Sequence, residues 1–177
     1  PCIVLLPVNL AVTALVTITV NPRADSPEAT ADSYTLDEDT ELVLAPPGPL
    51  ANDEDPDGDE LSFVALTMPA GQLTFTASGA LSYVPVADAT GNDSFSYRAT
   101  DGALNSPVRT VAFVILPVND APVALLDNYV LVEDGSVSDD LQANDSDVDL
   151  DPLETAVLGD PAHGAVTLLA SGAFTYT

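Results

Sequence analysis

Asp53, Asp55, Asp57 and Asp59 alternate along the run NDEDPDGDE (52–60), with Glu54 and Glu60 beside them and no base nearby. Carboxylates at alternating positions repel one another unless something positive sits between them. Oxygen donors in this pattern suit a hard divalent cation, so calcium is the expected ion and zinc is not. The same acids return as Asp145, Asp147, Asp149 and Asp151 in NDSDVDLD (144–151). Asp and Asn favour turns with or without an ion, so a merely solvated loop is the competing reading. Repetition of all four acids argues for the ion.

The stretch from Asp53 to Asp59 also matches the opening of an EF-hand loop, including Gly58 at the sharp turn. The match then fails, because Leu61 and Val64 stand at the ninth and twelfth positions, where further ligands are needed. Its flanks read as strands. It is an oxygen-rich loop without the helical frame.

Composition limits the alternatives. The chain carries 28 acids against three arginines and no lysine, for a net charge of −25. Such a surface repels phosphate backbones and anionic headgroups, which excludes nucleic acid and membrane surfaces as partners. Salt adaptation would spread the acids evenly, yet Leu61 to Asn119 contains only Asp88, Asp93 and Asp101. The clustering favours cation binding. With one cysteine, Cys2, no intramolecular disulfide forms, which suits a bacterial extracellular protein stabilised by metal. The only histidine, His163, falls where the earlier copy of its motif has Ala70-Gly71, so it reads as a turn residue. No Ser-His-Asp or Cys-His arrangement repeats, and no enzyme activity is expected.

The elements that must position the acids come in repeats. ADSYTLDEDT (31–40) returns as LDNYVLVEDG (126–135), and PAGQLTFTASGALSYV (69–84) as PAHGAVTLLASGAFTYT (161–177). VTITVNPRADSPEA (16–29) matches VAFVILPVNDAPVA (111–124). The period is about 95 residues, and it holds about seven alternating segments separated by turn signals. LSFVALT (61–67), QLTFTAS (72–78), ALSYVPV (80–86), DSFSYRA (93–99) and VRTVAFVIL (108–116) read as strands, the second and third joined at a Ser-Gly turn. Short strands at this spacing predict all-β, Ig-like antiparallel sandwiches. The expected divisions are 1–24 as the end of a preceding repeat (1–12 unassigned), 25–119 as a complete sandwich, and 120–177 as an incomplete one of low stability. The chain reads as a piece of something longer. Its first twenty residues are uncharged, but Pro7, the β-branched content and the alignment to a later strand favour a strand over a membrane span.

SYRATDGALNSPVRTVAFVILPVNDAPVA (96–124) resembles the end of a cadherin repeat, with its Ala-x-Asp-Gly turn, strand and Asn-Asp-x-Pro linker. The whole period, with DSYTLDEDT, LANDEDPDGDEL and GALSYVP, looks like the bacterial cadherin-like or Ig-like tandem repeats of large secreted or surface-attached adhesins. The resemblance implies calcium between consecutive repeats, with ligands from the base of one, the linker, and the top loops of the next. One junction would then draw on Glu38, Asn119, Asp120, Asp145 and Asp147. An equivalent front site would use Asp25, Asp53, Asp55 and Asp101, although the linker there reads Arg23-Ala24-Asp25 and so lacks one ligand. The implied role is an extracellular, calcium-stiffened spacer supporting cell adhesion, its partners being neighbouring repeats and a cell-surface glycan or protein. A carbohydrate- or protein-binding module is the alternative, or an accessory domain of a secreted hydrolase. Against the binding module, nearly all of the five Tyr and five Phe fall at inward strand positions.

Overall fold

The computed structural model describes residues 18–21 and 23–177. The expectations for the first seventeen residues, including the tail of a preceding repeat and the choice between strand and membrane span, lie outside the described residues.

Seven strands build the first unit: β1 (Asp32–Asp37), β2 (Leu42–Leu44), β3 (Ser62–Ala65), β4 (Gln72–Phe75), β5 (Leu81–Val84), β6 (Gly91–Thr100) and β7 (Arg109–Leu116). They form a four-stranded sheet in the order β1-β7-β6-β3 and a three-stranded sheet in the order β2-β5-β4. β1 lies parallel to β7, from Asp32 opposite Val111 to Asp37 opposite Leu116. The other pairings are antiparallel. This is the sandwich that the alternation predicts. A short 3-10 helix, Gly48–Asn52, is the only helical segment among the described residues.

Period-2 burial runs along β6, where Phe95, Tyr97 and Ala99 are buried, and along β7, where Val111, Phe113 and Ile115 are. Leu81 and Tyr83 of β5 close over them from the opposite sheet. Tyr83 stacks on Phe113 with ring centroids 3.8 Å apart, and Phe63 stacks on Tyr97 at 5.0 Å. Each such fully buried ring contributes about 1.5–3 kcal/mol by leaving water.

The β4–β5 turn is wider than the strand pattern suggests. The strands stop at Phe75 and restart at Leu81 because Thr76 closes the turn, its amide bonding to Ala80 O and its hydroxyl accepting the Ala80 amide. Gly79 sits at φ 85 there, and a side chain on it would strike the Pro47 carbonyl of the adjoining segment.

The second unit has three strands, β8 (Val137–Asp140), β9 (Val166–Leu168) and β10 (Ala173–Tyr176), ordered β8-β10-β9. This order reproduces β2-β5-β4, as the sequence repeat requires. Residues 126–132 align with β1 but join no ladder. β1 is held by β7, and among the described residues no equivalent partner lies beside 126–132. Val130 and Leu126 are exposed accordingly, while Tyr129 packs its ring 5.1 Å from Phe174.

Candidate metal centre

The antiparallel course of the strands sends the acidic turns to the two ends of the first unit. β1 runs away from the entering chain, so the turn after it, Glu38-Asp39, lies beside the exit of β7: Glu38 N–H donates to Leu116 O at 2.9 Å. The β5–β6 loop, with Asp88, reaches the same end. Asp39 and Asp88 both take left-handed backbone, at φ 58 and φ 56, which Asp tolerates better than most residues. The Asp88 amide donates to Asp39 Oδ1 at 3.2 Å, tying the two turns together.

Linker residue Asp120 completes this group. One oxygen from each of Asp39, Asp88 and Asp120 lies within 4.8 Å of the others. Oxygens on opposite sides of a calcium ion, each at 2.3–2.6 Å, are separated by about 5 Å, so the three carboxylates fit that ion. Asp120 Oδ2 is shielded from solvent and has no hydrogen-bond partner. Desolvation, followed by the charges of Asp149, Asp39, Asp88 and Glu38, holds the Asp120 carboxyl above its ordinary pKa. A group of like charges with an orphaned oxygen is the chemistry a hard cation satisfies.

Of the expected junction ligands, Asp120 is therefore central. Glu38 adjoins it, but is only 4% exposed and accepts the Val118 amide on Oε1 at 2.9 Å. Asp147 lines the same recess as Asp88 and Asp120, with Oδ1 accepting the amides of Asp149 and Asp151. Asn119 turns its side-chain amide to the Asp120 carbonyl at 3.1 Å. Asp145 is turned elsewhere, its Oδ1 taking the Leu125 amide at 2.8 Å.

At the front end, Asp55, Asp57 and Asp59 offer oxygens within 4.8 Å of one another. Asp55 Oδ1 accepts the amides of Asp57 and Asp59, at 2.9 and 3.2 Å, while its Oδ2 is shielded and unpartnered. Asp101 caps its own turn by accepting the Ala103 and Leu104 amides, both at 2.6 Å, which hold its carboxyl below the usual range. Its Oδ2, too, is shielded and unpartnered. Asp25 approaches the loop through its backbone, donating its amide to Asp57 Oδ2 at 2.8 Å.

Asp53 lines the same recess as Asp55 and Asp59, with its oxygens already engaged by the first unit. Both of its oxygens lie 3.1 Å from the Tyr97 hydroxyl, and Oδ1 accepts the Thr30 amide at 2.8 Å. Asp53 thus fastens the entering chain to the core. The Tyr97 hydroxyl also faces Asp32, whose carboxyl is pushed up to about 6 by burial and by the nearby charge of Asp53, against the bonds from Tyr97 and Asn52. The second unit repeats the fastening with Asp127, Asn144 and Asp145: Asn144 Nδ2 donates to Asp127 Oδ1 at 3.3 Å, as Asn52 does to Asp32 at 3.2 Å. In both units the first acid of the run is a clasp on the entering chain, and the second closes its own loop.

Asp39 and Asp88 are the participants that the sequence reading missed. Asp39 follows the singled-out Glu38 directly. The left-handed turn that aims it at Asp120 has no marker in the sequence. Asp88 is isolated among apolar residues, and only the strand order brings it to the junction.

Residues 24–117 match the family model for the bacterial cadherin-like domain, and residues 119–177 that for the bacterial Ig domain. Among curated proteins, extracellular matrix protein 3 of Lytechinus variegatus is 34% identical over 79 residues, 42% of this chain. That stretch is 2% of the matrix protein's length, so the chain spans a small fraction of this relative. The human protocadherin-24 EC1-2 structure (form II) is similar over 86% of this chain and 80% of its own, at 19% identity and a TM-score of 0.54, a likeness of fold. An endo-fucoidan hydrolase of glycoside hydrolase family 107 is 20% identical across 86% of this chain and 23% of its own. Its TM-score of 0.38 is too low to bear on activity. The two matching domain families are non-enzymatic, typically extracellular modules of the adhesion type. Among the described residues, no helix is long and apolar enough to cross a membrane. With more than half of its length matched by that model, the chain belongs to the bacterial cadherin-like domain family.

Proposed function

We propose that this chain is a calcium-stiffened spacer of a larger extracellular adhesion protein. The observation that carries the reading is the meeting of Asp39, Asp88 and Asp120, from two turns of one unit and from the linker, around an oxygen left without a partner. Asp39, Asp88 and Asp120 would hold the ion, with Glu38 and Asp147 beside them. When bound, calcium supplies positive charge that cancels the repulsion between the far end of one sandwich and the linker to the next. Asp55, Asp57 and Asp59 form a second group, at the front end. Extracellular modules of this kind hold calcium in the range of about 0.1–1 mM.

Thermal melts in EDTA and across a calcium series, with magnesium and plain salt as controls, test the proposal. Calcium at a hundredfold over its dissociation constant adds about 2.7 kcal/mol to the unit that holds it. For a domain of this size, that is a rise of about 10–20 °C. Asp120→Ala should remove most of the rise while leaving the first sandwich folded in EDTA. An equal response to magnesium and to plain salt, or none at all, would reduce the acids to solvating the turns.

A further inference from the structure

The linker is gripped from both sides before any ion is considered. Val118 N–H donates to Glu38 Oε1 of the upstream unit at 2.9 Å, and Asp120 N–H donates to Asp149 Oδ2 of the downstream unit at 2.6 Å. On the upstream side, Glu38 N–H already bonds to Leu116 O, and Pro117 has no amide to place. On the downstream side, Val123 and Ser146 exchange two backbone bonds of 2.8 and 3.1 Å, and Leu125 N–H is taken by Asp145. Only Asn119 lies between the two anchors.

The downstream grip recurs at the front of the first unit. Asp25 N–H donates to Asp57 Oδ2 at 2.8 Å, Glu28 and Glu54 exchange bonds of 2.8 and 3.0 Å, and Thr30 N–H is taken by Asp53. The linker sequences differ, Arg23-Ala24-Asp25 against Val118-Asn119-Asp120. A contact that recurs in register on different linkers is a property of the repeat.

We infer that Asp149 is a positioning residue, and that Asp57 takes the same part in its own unit beside its place in the front group. Asp149 latches the linker by one backbone amide, aims the following carboxylate at the facing turns, and leaves Asn119 as the hinge between the units. The inference rests on the proposed calcium junction only for what the aimed carboxylate then does. The latch itself is metal-free: a short, charge-assisted bond from a backbone N–H to a carboxylate. It requires an acceptor at residue 149, and the carboxylate charge strengthens the bond.

Asp149→Asn keeps an acceptor oxygen and loses the charge, and Asp149→Ala loses both. Amide hydrogen exchange of the full chain in EDTA, read by NMR at Asp120, separates the roles. A hydrogen bond to a charged group is worth about 1.5–3 kcal/mol, so losing it should speed exchange at Asp120 by about tenfold or more in the Ala variant. The Asn variant should fall between the parent and the Ala variant, and Phe113 in the first core should be unchanged in both. Equal exchange in parent and Ala variant would overturn the latch, as would equal acceleration in Ala and Asn variants. Calcium titration of the same samples is a separate reading. A parent chain that ignores calcium would remove the stiffening role while the EDTA result still decides the latch.

Discussion

Leu150 occupies left-handed backbone at φ 62, where the first unit has Gly58 at φ 80. For an L residue with a side chain this conformation costs about 1–2 kcal/mol, and Leu150 recovers little because it is 88% exposed. Leu150→Gly should therefore stabilise the second unit by about 1 kcal/mol, seen as a higher urea midpoint for that unit alone. A lower midpoint would mean that Leu150 packs in solution. At this scale the acids were legible in the sequence but their directions were not. Asp53 and Asp55 are alike in type and two apart, yet one turns to Tyr97 and the other closes its own loop, because the 3-10 helix before them delivers Asp53 to the core. Asp39 and Asp88 meet only because both turns carry left-handed aspartates at the same end.

Among the elements, β6 holds more than its own ladder. Asp93, near its start, accepts the Ala70, Gly71 and Ser94 amides at 3.0, 3.0 and 2.8 Å, and the Tyr83 hydroxyl at 2.6 Å. One carboxylate thereby pins the β3–β4 loop and β5 to the opposite sheet. Burial pushes its pKa up, but these four bonds outweigh it and the folded value lies below the ordinary one. A depressed carboxyl pKa gives stability that is fully present above the unfolded value near 4 and is lost as pH falls through the folded value. Asp93→Ala should cost about 2–3 kcal/mol at neutral pH, and the gap to the parent should narrow below about pH 4. A gap independent of pH would place the effect in packing. The strands were the most legible part of the fold, since alternation along β6 and β7 marks the buried face directly. Their ends were less so, because Thr76 and Asp93 fix the turns through side-chain bonds that leave no periodic trace.

Across the whole molecule the two units differ in how much apolar surface they cover. Phe95, Tyr97, Val111 and Phe113 of the first are at most 1% exposed, while Val130 and Leu158 of the second are about fully exposed. The chain should melt in two steps, residues 120–177 first, and excised residues 25–119 should keep the upper transition within a few degrees. A single transition shared by both units would show that the junction couples them more strongly than the core of either. The tandem order was readable from the repeat, because offsets near 95 residues leave no other arrangement of like elements.

The parallel pairing of β1 with β7 has a mechanical consequence. The chain enters the first unit ahead of β1 at one end and leaves it after β7 at the other. Tension along the protein therefore pulls these two neighbours in opposite directions along their length. Their ladder runs through six opposed pairs, Asp32–Val111 to Asp37–Leu116, and is loaded in shear. The bonds must yield together, whereas a hairpin pulled from its open end unzips one bond at a time. A sandwich whose first and last strands lie side by side in this sense is built to be pulled.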